Sequence, residues 1–312
     1  MTAVLIEGLI FVVLTLTKVR VWILNAIPMS LKNAIGAGIG LFIAFIGLQN
    51  AGLIVDSPST LVMLHVRGGI LLGILITAVI GMFIKDPATG EAITHFGGIL
   101  SMPDSVAPIA MQFEWHRILS WDMLVVVFTF LFIDMFDTMG TVIGVAQKAG
   151  FVDEKGNIQD SEKVFMADAI GTIAGACLGT STTTTYVESS AGVGAGGRTG
   201  LTAFAAAVCF ALALFFSPIF LSIPSAATAP ALVIVGVMMM PSIKRIHWDD
   251  YCKSIPAFIT IVMMPVAYSI SDGILIGVIS YVVTHAIAGR VKEISIPMWV
   301  LAVLFILRYI FI

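Results

Sequence analysis

Apolar runs of helix length, separated by short polar breaks, fill most of this chain. A helix that crosses a hydrocarbon core about 30 Å thick needs roughly 20 apolar residues, and a half-helix that stops at mid-depth needs fewer. The pattern predicts about ten such segments, and a final apolar stretch at 297–312 that either spans the membrane or lies along its surface. The predicted segments are 3–17, 31–55, 68–84, 121–147, 164–179, 186–195, 200–221, 226–241, 256–270 and 273–289.

The amino-acid composition is that of a membrane protein. Hydrophobic residues make up 59% of the chain, charged residues only 11%, and the mean hydropathy is +1.05. Because soluble domains carry roughly a quarter charged residues, the composition excludes a soluble globular protein and indicates a polytopic membrane protein. The polar stretches 85–120 and 148–163 have neither the length nor the pattern of a soluble domain.

Charges between the apolar segments predict an orientation for the second half of the chain. Basic residues are enriched in cytoplasmic loops, and if loop 148–163 faces the cytoplasm, the later basic clusters fall on the same side. Lys18, Arg20 and Lys32 are also predicted to be cytoplasmic. The alternation fails at 57–67, which is too short to span. Either one helix is missing there or the charge distribution is misleading in this region.

Two carboxylates lie in the apolar run LFIDMFDTMGTVIG. Asp134 and Asp137 are three residues apart, which puts them on one face of a helix. A carboxylate within a membrane helix costs roughly 2.5–3.5 kcal/mol on insertion scales, so it faces a cavity or a partner and marks a functional site. The alternative is that the pair caps a re-entrant turn or binds a lysine, but the run itself contains no Lys or Arg. Function is favoured more strongly for Asp134 than for Asp137.

Glycines at a spacing of four residues mark the next predicted helix. Gly171, Gly175 and Gly179 would let another helix approach closely, so the stripe predicts helix packing. Asp168 lies just before the stripe and is predicted to cap the helix at its cytoplasmic end.

The stretch 180–197, TSTTTTYVESSAGVGAGG, departs most from the apolar pattern. Its six consecutive hydroxyl residues, five of them β-branched, favour an extended backbone over a helix. At membrane depth such backbone survives only where it is buried in protein or lines a polar cavity. The residues around Glu188 restart as a short helix, so we predict a discontinuous segment of strand, half-helix and glycine-rich exit. The alternative, a Ser/Thr-rich loop in water, is disfavoured by the apolar spans on both sides.

Three motifs carry a family resemblance: FIDMFDTMGTVIGVAQKAG, ADAIGTIAGACLGTSTTTTYVESSAGVGAGGRTGLTA, and FFSPIF followed by ATAPALVIVGVMM. They resemble the AzgA-like guanine/hypoxanthine/adenine permeases of the nucleobase–ascorbate transporter superfamily, and the similarity runs from about Val4 to the C-terminus. The resemblance implies an all-α polytopic membrane protein with the inverted-repeat nucleobase transporter fold. In that fold, core and gate domains hold the substrate between two half-helices and carry it with a proton. The family's carboxylates correspond to Asp134, Asp137 and Glu188.

The family pattern is expected to be incomplete in this chain. Its first three segments, including an opposing half-helix with a Gly-Leu-Asn-Ala motif, have no counterpart, and its sixth segment is expected to be deleted between Val62 and Arg67. The first repeat is therefore predicted to be a remnant of about three spans and a polar connection. The predicted domains are this remnant at 1–120, second-repeat core segments with the substrate site at 121–221, and second-repeat gate segments with a C-terminal apolar helix at 222–312.

The resemblance and the residue types together predict a purine site. The predicted substrate ligands are Glu188, Asp134, Ser189, Ser190 and Tyr186. A purine carries N–H donors along one edge, and a carboxylate can accept two of them, so Glu188 is expected to be the main ligand and Asp134 the second. The backbone of Ser189 and Ser190 is expected to serve the purine acceptors. Phe132, Phe136 and Tyr186 are candidates for stacking on the ring, although aromatics at helical spacing are more often packing residues.

Coupling to protons is expected from the same carboxylates. Several carboxylates in one low-dielectric cavity cannot all stay ionised, so Asp137 or Asp134 is expected to hold the coupling proton. No cofactor and no metal is expected. The three cysteines show no CxxC spacing and the histidines no metal-ligand spacing, so neither a disulfide framework nor a zinc site is predicted. Sodium in place of the proton stays open.

The predicted function is proton-coupled secondary transport of purine nucleobases such as hypoxanthine, guanine or adenine, by a multi-pass permease of the plasma or inner membrane. The expected partners are the purine and the lipid bilayer, without nucleic acid, and homodimer formation is left open. The alternative is a truncated, non-transporting relic or regulatory subunit of the same fold. An intramembrane hydrolase is disfavoured, because Asp134 and Asp137 on one helix do not form a dyad from two facing helices and no GxSxG or HExxH motif is present.

Overall fold

The computed structural model describes residues 1–51, 69–84, 94, 97–116, 118, 120–153 and 156–311. The expected deletion between Val62 and Arg67 lies outside the described residues. Within the described ranges the chain is helical and contains no β-strand, only an isolated bridge between Val152 and Ile158. The α-helices are α1 (Thr2–Leu16), α2 (Val19–Ala26), α3 (Met29–Asn50), α4 (Gly69–Gly81), α5 (Trp121–Ala149), α6 (Ser161–Leu178), α7 (Ser189–Gly194), α8 (Gly200–Phe215), α9 (Ser217–Leu221), α10 (Ser225–Met239), α11 (Tyr251–Val266), α12 (Ile270–Ile287) and α13 (Ile296–Phe311).

Several of these helices are long and apolar enough to cross a membrane. In the described part of the chain, four stretches meet this condition: Met29–Asn50, Met123–Ala149, Ala227–Arg245 and Ile270–Ile287. The pair α1 and α2, bent by 74° at the break between them, makes a fifth candidate. The predicted all-α polytopic membrane protein is thus confirmed, although fewer of the described helices are full-length spans than the pattern of apolar runs predicts.

Local backbone chemistry explains two departures from the predicted segments. The predicted segment 200–221 is divided into α8 and α9, because Pro218 in the first turn of α9 has no N–H with which to continue the hydrogen-bond ladder of α8. Helix α2 was not predicted at all. The chain leaves α1 through Lys18, whose φ of 61° lies in the left-handed region, and then forms a new helix in another direction.

The predicted discontinuous segment is present. Residues 179–188 are not helical, and α7 that follows is only six residues long. The predicted strand has no pairing partner among the described residues, so this part is an isolated non-helical segment. We call residues 180–186 the threonine segment.

The chain forms two compact units that alternate along the sequence. The first contains residues 1–42, 105–190 and 239–312, and the second contains residues 43–104 and 191–238. All three predicted carboxylates, Asp134, Asp137 and Glu188, belong to the first unit. The predicted domain boundaries after residues 120 and 221 are based on the expected internal repeat, and they remain a prediction.

Aromatic packing in the first unit changes one predicted role. Phe132 and Phe136 of α5 both contact Phe305 of α13 edge-to-face, with ring centroids 5.3 and 4.9 Å apart. Both α5 rings are buried, and Phe136 has no exposed surface. Such pairs stabilise helix packing. Phe132 and Phe136 are therefore packing residues and are unavailable for stacking on a substrate.

Candidate functional site

Four ionisable side chains lie buried together where α1, α2, α5 and α6 meet in the first unit. Glu7 and Arg20 have no exposed surface, while Asp134 and Asp168 retain 6% and 8%. Asp134 interacts electrostatically with the other three. Because buried charges are costly unless they are paired, a group of three carboxylates and one guanidinium indicates a built polar site. We call these four residues the carboxylate cluster.

The only cation of the carboxylate cluster is committed to one of its carboxylates. Arg20 donates from Nη2 to Oδ2 of Asp168 at 2.8 Å, and from Nη1 to the carbonyl oxygen of Phe165 at 3.1 Å. The guanidinium lies over the rings of Phe11 and Phe165, 4.2 and 4.5 Å from their centroids. The several N–H donors of arginine and its attraction to aromatic faces both suit these surroundings. This environment holds Arg20 in place against Asp168.

Each carboxylate of the cluster interacts with a hydroxyl group of the threonine segment. Thr182 donates to Glu7 Oε2 at 2.9 Å, Thr185 lies 3.4 Å from Asp168 Oδ1, and Thr184 interacts with Asp134. Thr138 of α5 connects them further: its hydroxyl lies 3.0 Å from Asp168 Oδ1 and 3.0 Å from the hydroxyl of Thr184. One hydrogen-bonded network therefore joins the cluster to the segment that leads to Glu188.

Gly171 and Gly175 of the α6 stripe pack against the threonine segment, and Gly179 packs against Ile109, so the predicted partner, another helix, was wrong. A side-chain carbon placed on Gly175 would come within 2.5 Å of Thr183 Oγ1, and one on Gly171 within 3.6 Å of Thr183 Cγ2. The Thr172 hydroxyl also donates to the carbonyl oxygen of Thr183 at 3.0 Å. Side chains alternate along an extended backbone, so Thr183 faces α6 while its neighbours Thr182 and Thr184 reach the carboxylates.

Replacing Gly175 by alanine is expected to destabilise the protein by about 1–3 kcal/mol, because the new methyl group overlaps the Thr183 hydroxyl and overpacks the site. The matched control is Gly171→Ala on the same helix, where the added carbon makes an ordinary contact and alanine favours the helix. Melting temperatures of the detergent-purified variants test this difference. Equal melting temperatures for the two variants would show that the threonine segment does not pack on Gly175.

Asp137 contacts different residues from those that Asp134 contacts. Its Oδ1 accepts the backbone N–H of Ser271 at 3.0 Å, in the first turn of α12. The next residue, Asp272, accepts hydrogen bonds from Arg308 at 2.6 Å and from the hydroxyl of Tyr309 at 3.2 Å. Three residues of an α-helix turn through about 300°, which is enough to aim Asp134 and Asp137 at different neighbours. The one-face prediction therefore does not place both carboxylates in one site.

The residues predicted around the purine lie at the end of the threonine segment. Glu188 is exposed and makes no hydrogen bond or ion pair within the described part of the chain. Tyr186 is 63% exposed. The Ser190 hydroxyl is buried and has no partner among the described residues. The amides of Ser189 and Ser190 donate to the carbonyl oxygens of Tyr186 and Val187, at 3.3 and 3.0 Å, so these amides are used within a turn.

Sequence reasoning missed three members of the carboxylate cluster. Glu7 lies in the middle of an apolar helix, which is the same signal that identified Asp134. Arg20 was predicted only as a charge on the cytoplasmic side, and its full burial and its pairing with Asp168 were not foreseen. Asp168 is not a helix cap: α6 begins at Ser161, and Asp168 lies inside it as the partner of Arg20. From the sequence alone, a basic residue next to an apolar run can lie either in a loop or in a buried ion pair, and nothing in the pattern distinguishes the two.

The amino-acid sequence is similar to known permeases over most of its length. A family described as "Permease family" matches residues 59–276. The chain is 44% identical over 338 residues to the guanine/hypoxanthine permease PbuG of Bacillus subtilis, which covers 100% of this chain and 75% of PbuG. It is 41% identical over 330 residues to the guanine/hypoxanthine permease PbuO of the same organism, covering 98% of this chain and 76% of PbuO. It is 39% identical over 321 residues to the adenine permease AdeQ of Escherichia coli, covering 95% of this chain and 71% of AdeQ.

The length of one alignment bears on the expected internal deletion. The alignment with PbuG extends over 338 residues, which is longer than the 312 residues of this chain. PbuG therefore has residues inside the aligned region that have no counterpart here.

Proposed function

This chain belongs to the permease family and to the nucleobase–ascorbate transporter superfamily, and we propose that it carries purine nucleobases such as hypoxanthine, guanine or adenine, coupled to protons. It is a multi-pass protein of the cell membrane and a transporter, not an enzyme. Support for the substrate class comes from relatives named for guanine, hypoxanthine and adenine transport. The separate surroundings of Asp134 and Asp137 also speak against a hydrolytic dyad.

The observation that carries the proposal is the position of the threonine segment. It contacts the buried carboxylates of the cluster along its length, and it leads to the exposed carboxylate of Glu188. Glu188 is exposed and has no protein partner within the described residues, so its two oxygens are free to accept N–H groups from a purine edge. The buried Ser190 hydroxyl supplies a donor or an acceptor beside it. The exposed ring of Tyr186 offers a face for stacking. Asp134, whose Oδ2 has no partner in the described part, is the second ligand in this proposal.

The charge of the carboxylate cluster supports the proposal of proton coupling. Three carboxylates face one guanidinium that is held by Asp168. Carboxylates that share a low-dielectric site cannot all stay ionised, so the site takes up a proton when no other cation is bound. A purine bound at Glu188 lies at the end of the same hydrogen-bonded segment. Binding of the substrate and binding of the proton are therefore linked through the threonine segment.

Uptake of radiolabelled hypoxanthine, guanine and adenine tests this function in cells that lack their own purine carriers. We expect the chain to support uptake of at least one of them, to lose accumulation when a protonophore removes the proton gradient, and to tolerate the removal of sodium. Cells with the empty vector are the control. Absence of both uptake and binding for all three purines at every pH would refute the proposal.

A further inference from the structure

Glu7 is a buried ionisable group that the predicted purine site leaves without a role. It lies in the middle of α1 with no exposed surface. Its Oε2 accepts the hydroxyl of Thr182 at 2.9 Å, whereas Oε1 has no hydrogen-bond partner among the described residues. A carboxylate kept only for structure would have both oxygens satisfied, because an unpaired buried charge is strongly unfavourable.

Within the described residues no cation forms an ion pair with Glu7, although Arg20 acts on it electrostatically. Arg20, the one basic group of the cluster, is bound to Asp168 and to the Phe165 carbonyl. From the other packed elements, α5 presents Asp134 and Thr138, α6 presents Asp168, and the threonine segment presents hydroxyls only. The other charged side chains that are described on or next to these elements are engaged elsewhere or lie at a helix end: Lys18 with Glu162, Lys163 with Asp160, Asp137 with the Ser271 amide, and Lys148 in the last turn of α5.

Two carboxyl oxygens of the cluster are left without a partner in the described part of the chain, and they belong to the two carboxylates that Arg20 does not bind. They are Oε1 of Glu7 and Oδ2 of Asp134. The other oxygen of Glu7 accepts a hydrogen bond from Thr182, and Asp134 interacts with the Thr184 hydroxyl. A neutral carboxyl group carries its proton on one oxygen and accepts with the other, and at Glu7 the unpartnered Oε1 is available for such a proton while Oε2 accepts from Thr182.

We propose that Glu7 is a proton-carrying residue of the transport cycle, which holds the coupling proton together with Asp134 while Arg20 keeps Asp168 ionised. The proposal rests on the proposed function and adds a residue of α1 to the proton pathway. Its physical basis is that the threonine segment both donates a hydrogen bond to Glu7 and leads to Glu188. Loss of the proton from Glu7 turns a neutral acceptor into a charged one. The change strengthens the bond from Thr182 and biases the position of the threonine segment, which leads to Glu188.

The test uses Glu7→Gln in proteoliposomes. Glutamine has the same shape and its amide oxygen still accepts from Thr182, but it cannot carry the proton. We expect purine exchange without a gradient to continue, and proton entry accompanying purine uptake, followed with an internal pH dye, to be lost. At one proton per purine, a gradient of about one pH unit supports roughly tenfold accumulation in the unchanged protein, and the variant is expected to show none. Glu162→Gln, at an exposed acid of α6, is the matched control and should accumulate normally.

Three outcomes of this experiment are distinguishable. If the unchanged protein takes up no purine, the proposed function fails. If it accumulates purine and Glu7→Gln accumulates equally, only the role of Glu7 is overturned. If Glu7→Gln loses exchange as well as accumulation, the residue is needed for more than the proton and the proposal is also overturned.

A second measurement needs neither a variant nor transport. A hydrophobic carbodiimide reacts with protonated carboxyl groups in apolar sites, and the adducts can be mapped by mass spectrometry on the unchanged protein. We expect adducts at Glu7 and Asp134 that diminish as the pH rises, and none at Asp168, which is paired with Arg20. Absence of an adduct at Glu7 at every pH would overturn the proposal.

Discussion

Replacement of Arg20 by methionine is expected to destabilise the protein by about 3–5 kcal/mol, because it leaves the carboxylate of Asp168 buried without its partner. The ion pair is short, 2.8 Å between Nη2 and Oδ2, and the two side chains are 0% and 1% exposed. The variant also loses the contacts of the guanidinium with the rings of Phe11 and Phe165. Melting temperature and the yield of monodisperse protein in detergent measure the effect.

Two further variants separate the charge from the packing. Lys18→Gln breaks an exposed ion pair with Glu162, whose side chains are 68% and 50% exposed, and is expected to have a much smaller effect. The double variant Arg20→Met with Asp168→Leu removes both charges and should recover most of the lost stability, since no uncompensated charge remains. Equal melting temperatures for the Arg20 and Lys18 variants would contradict this account of the buried pair.

Replacement of Glu188 by glutamine is expected to weaken purine binding by about 100-fold or more. A carboxylate accepts two N–H groups, whereas glutamine turns one of these acceptors into a donor that faces the purine N–H. The loss of a hydrogen bond to a charged group, roughly 1.5–3 kcal/mol, together with this mismatch accounts for the size of the effect. Equilibrium binding of labelled hypoxanthine, guanine and adenine to the purified protein measures it.

The folding of this variant is expected to be normal. Glu188 is exposed and has no protein partner in the described part of the chain, so the melting temperature without substrate should not change. Glu162→Gln, also on an exposed acid, should bind purine normally and is the matched control. A Glu188→Gln protein that melts normally and binds purine with unchanged affinity would show that Glu188 is not the purine ligand.

The helices could be predicted from the chain because their signal is local. A run of apolar residues such as 273–289 forms a helix in the membrane whatever its neighbours are, since its own backbone must satisfy its hydrogen bonds. The observed α12, Ile270–Ile287, agrees with that prediction to within a few residues. Helix α2 was missed because it is short, begins after a left-handed residue and is stabilised by a buried arginine, none of which produces an apolar run.

The site could be predicted only in part, for a related reason. Asp134 was identified because a carboxylate in an apolar helix is costly wherever that helix lies. Its neighbours could not be identified in this way. Arg20 and Asp168 are 148 positions apart in the chain, so no spacing rule connects them. The glycine stripe was recognised as a contact surface, but its partner, the threonine segment, is close to it only because the chain reverses after α6.

By itself, the sequence determined that the protein is an α-helical membrane protein, that a discontinuous segment interrupts its helices, and that carboxylates at 134, 137 and 188 are out of place in an apolar chain. These are properties of single residues and short runs. Only the tertiary structure decided that Glu7, Arg20 and Asp168 join Asp134, that Asp137 faces α12 instead, and that the threonine hydroxyls serve the buried carboxylates. The free-energy cost of burying a charge depends on the charged residue itself and can be recognised in the sequence. Its compensation requires a second residue, and only the packing of the chain determines which residue that is.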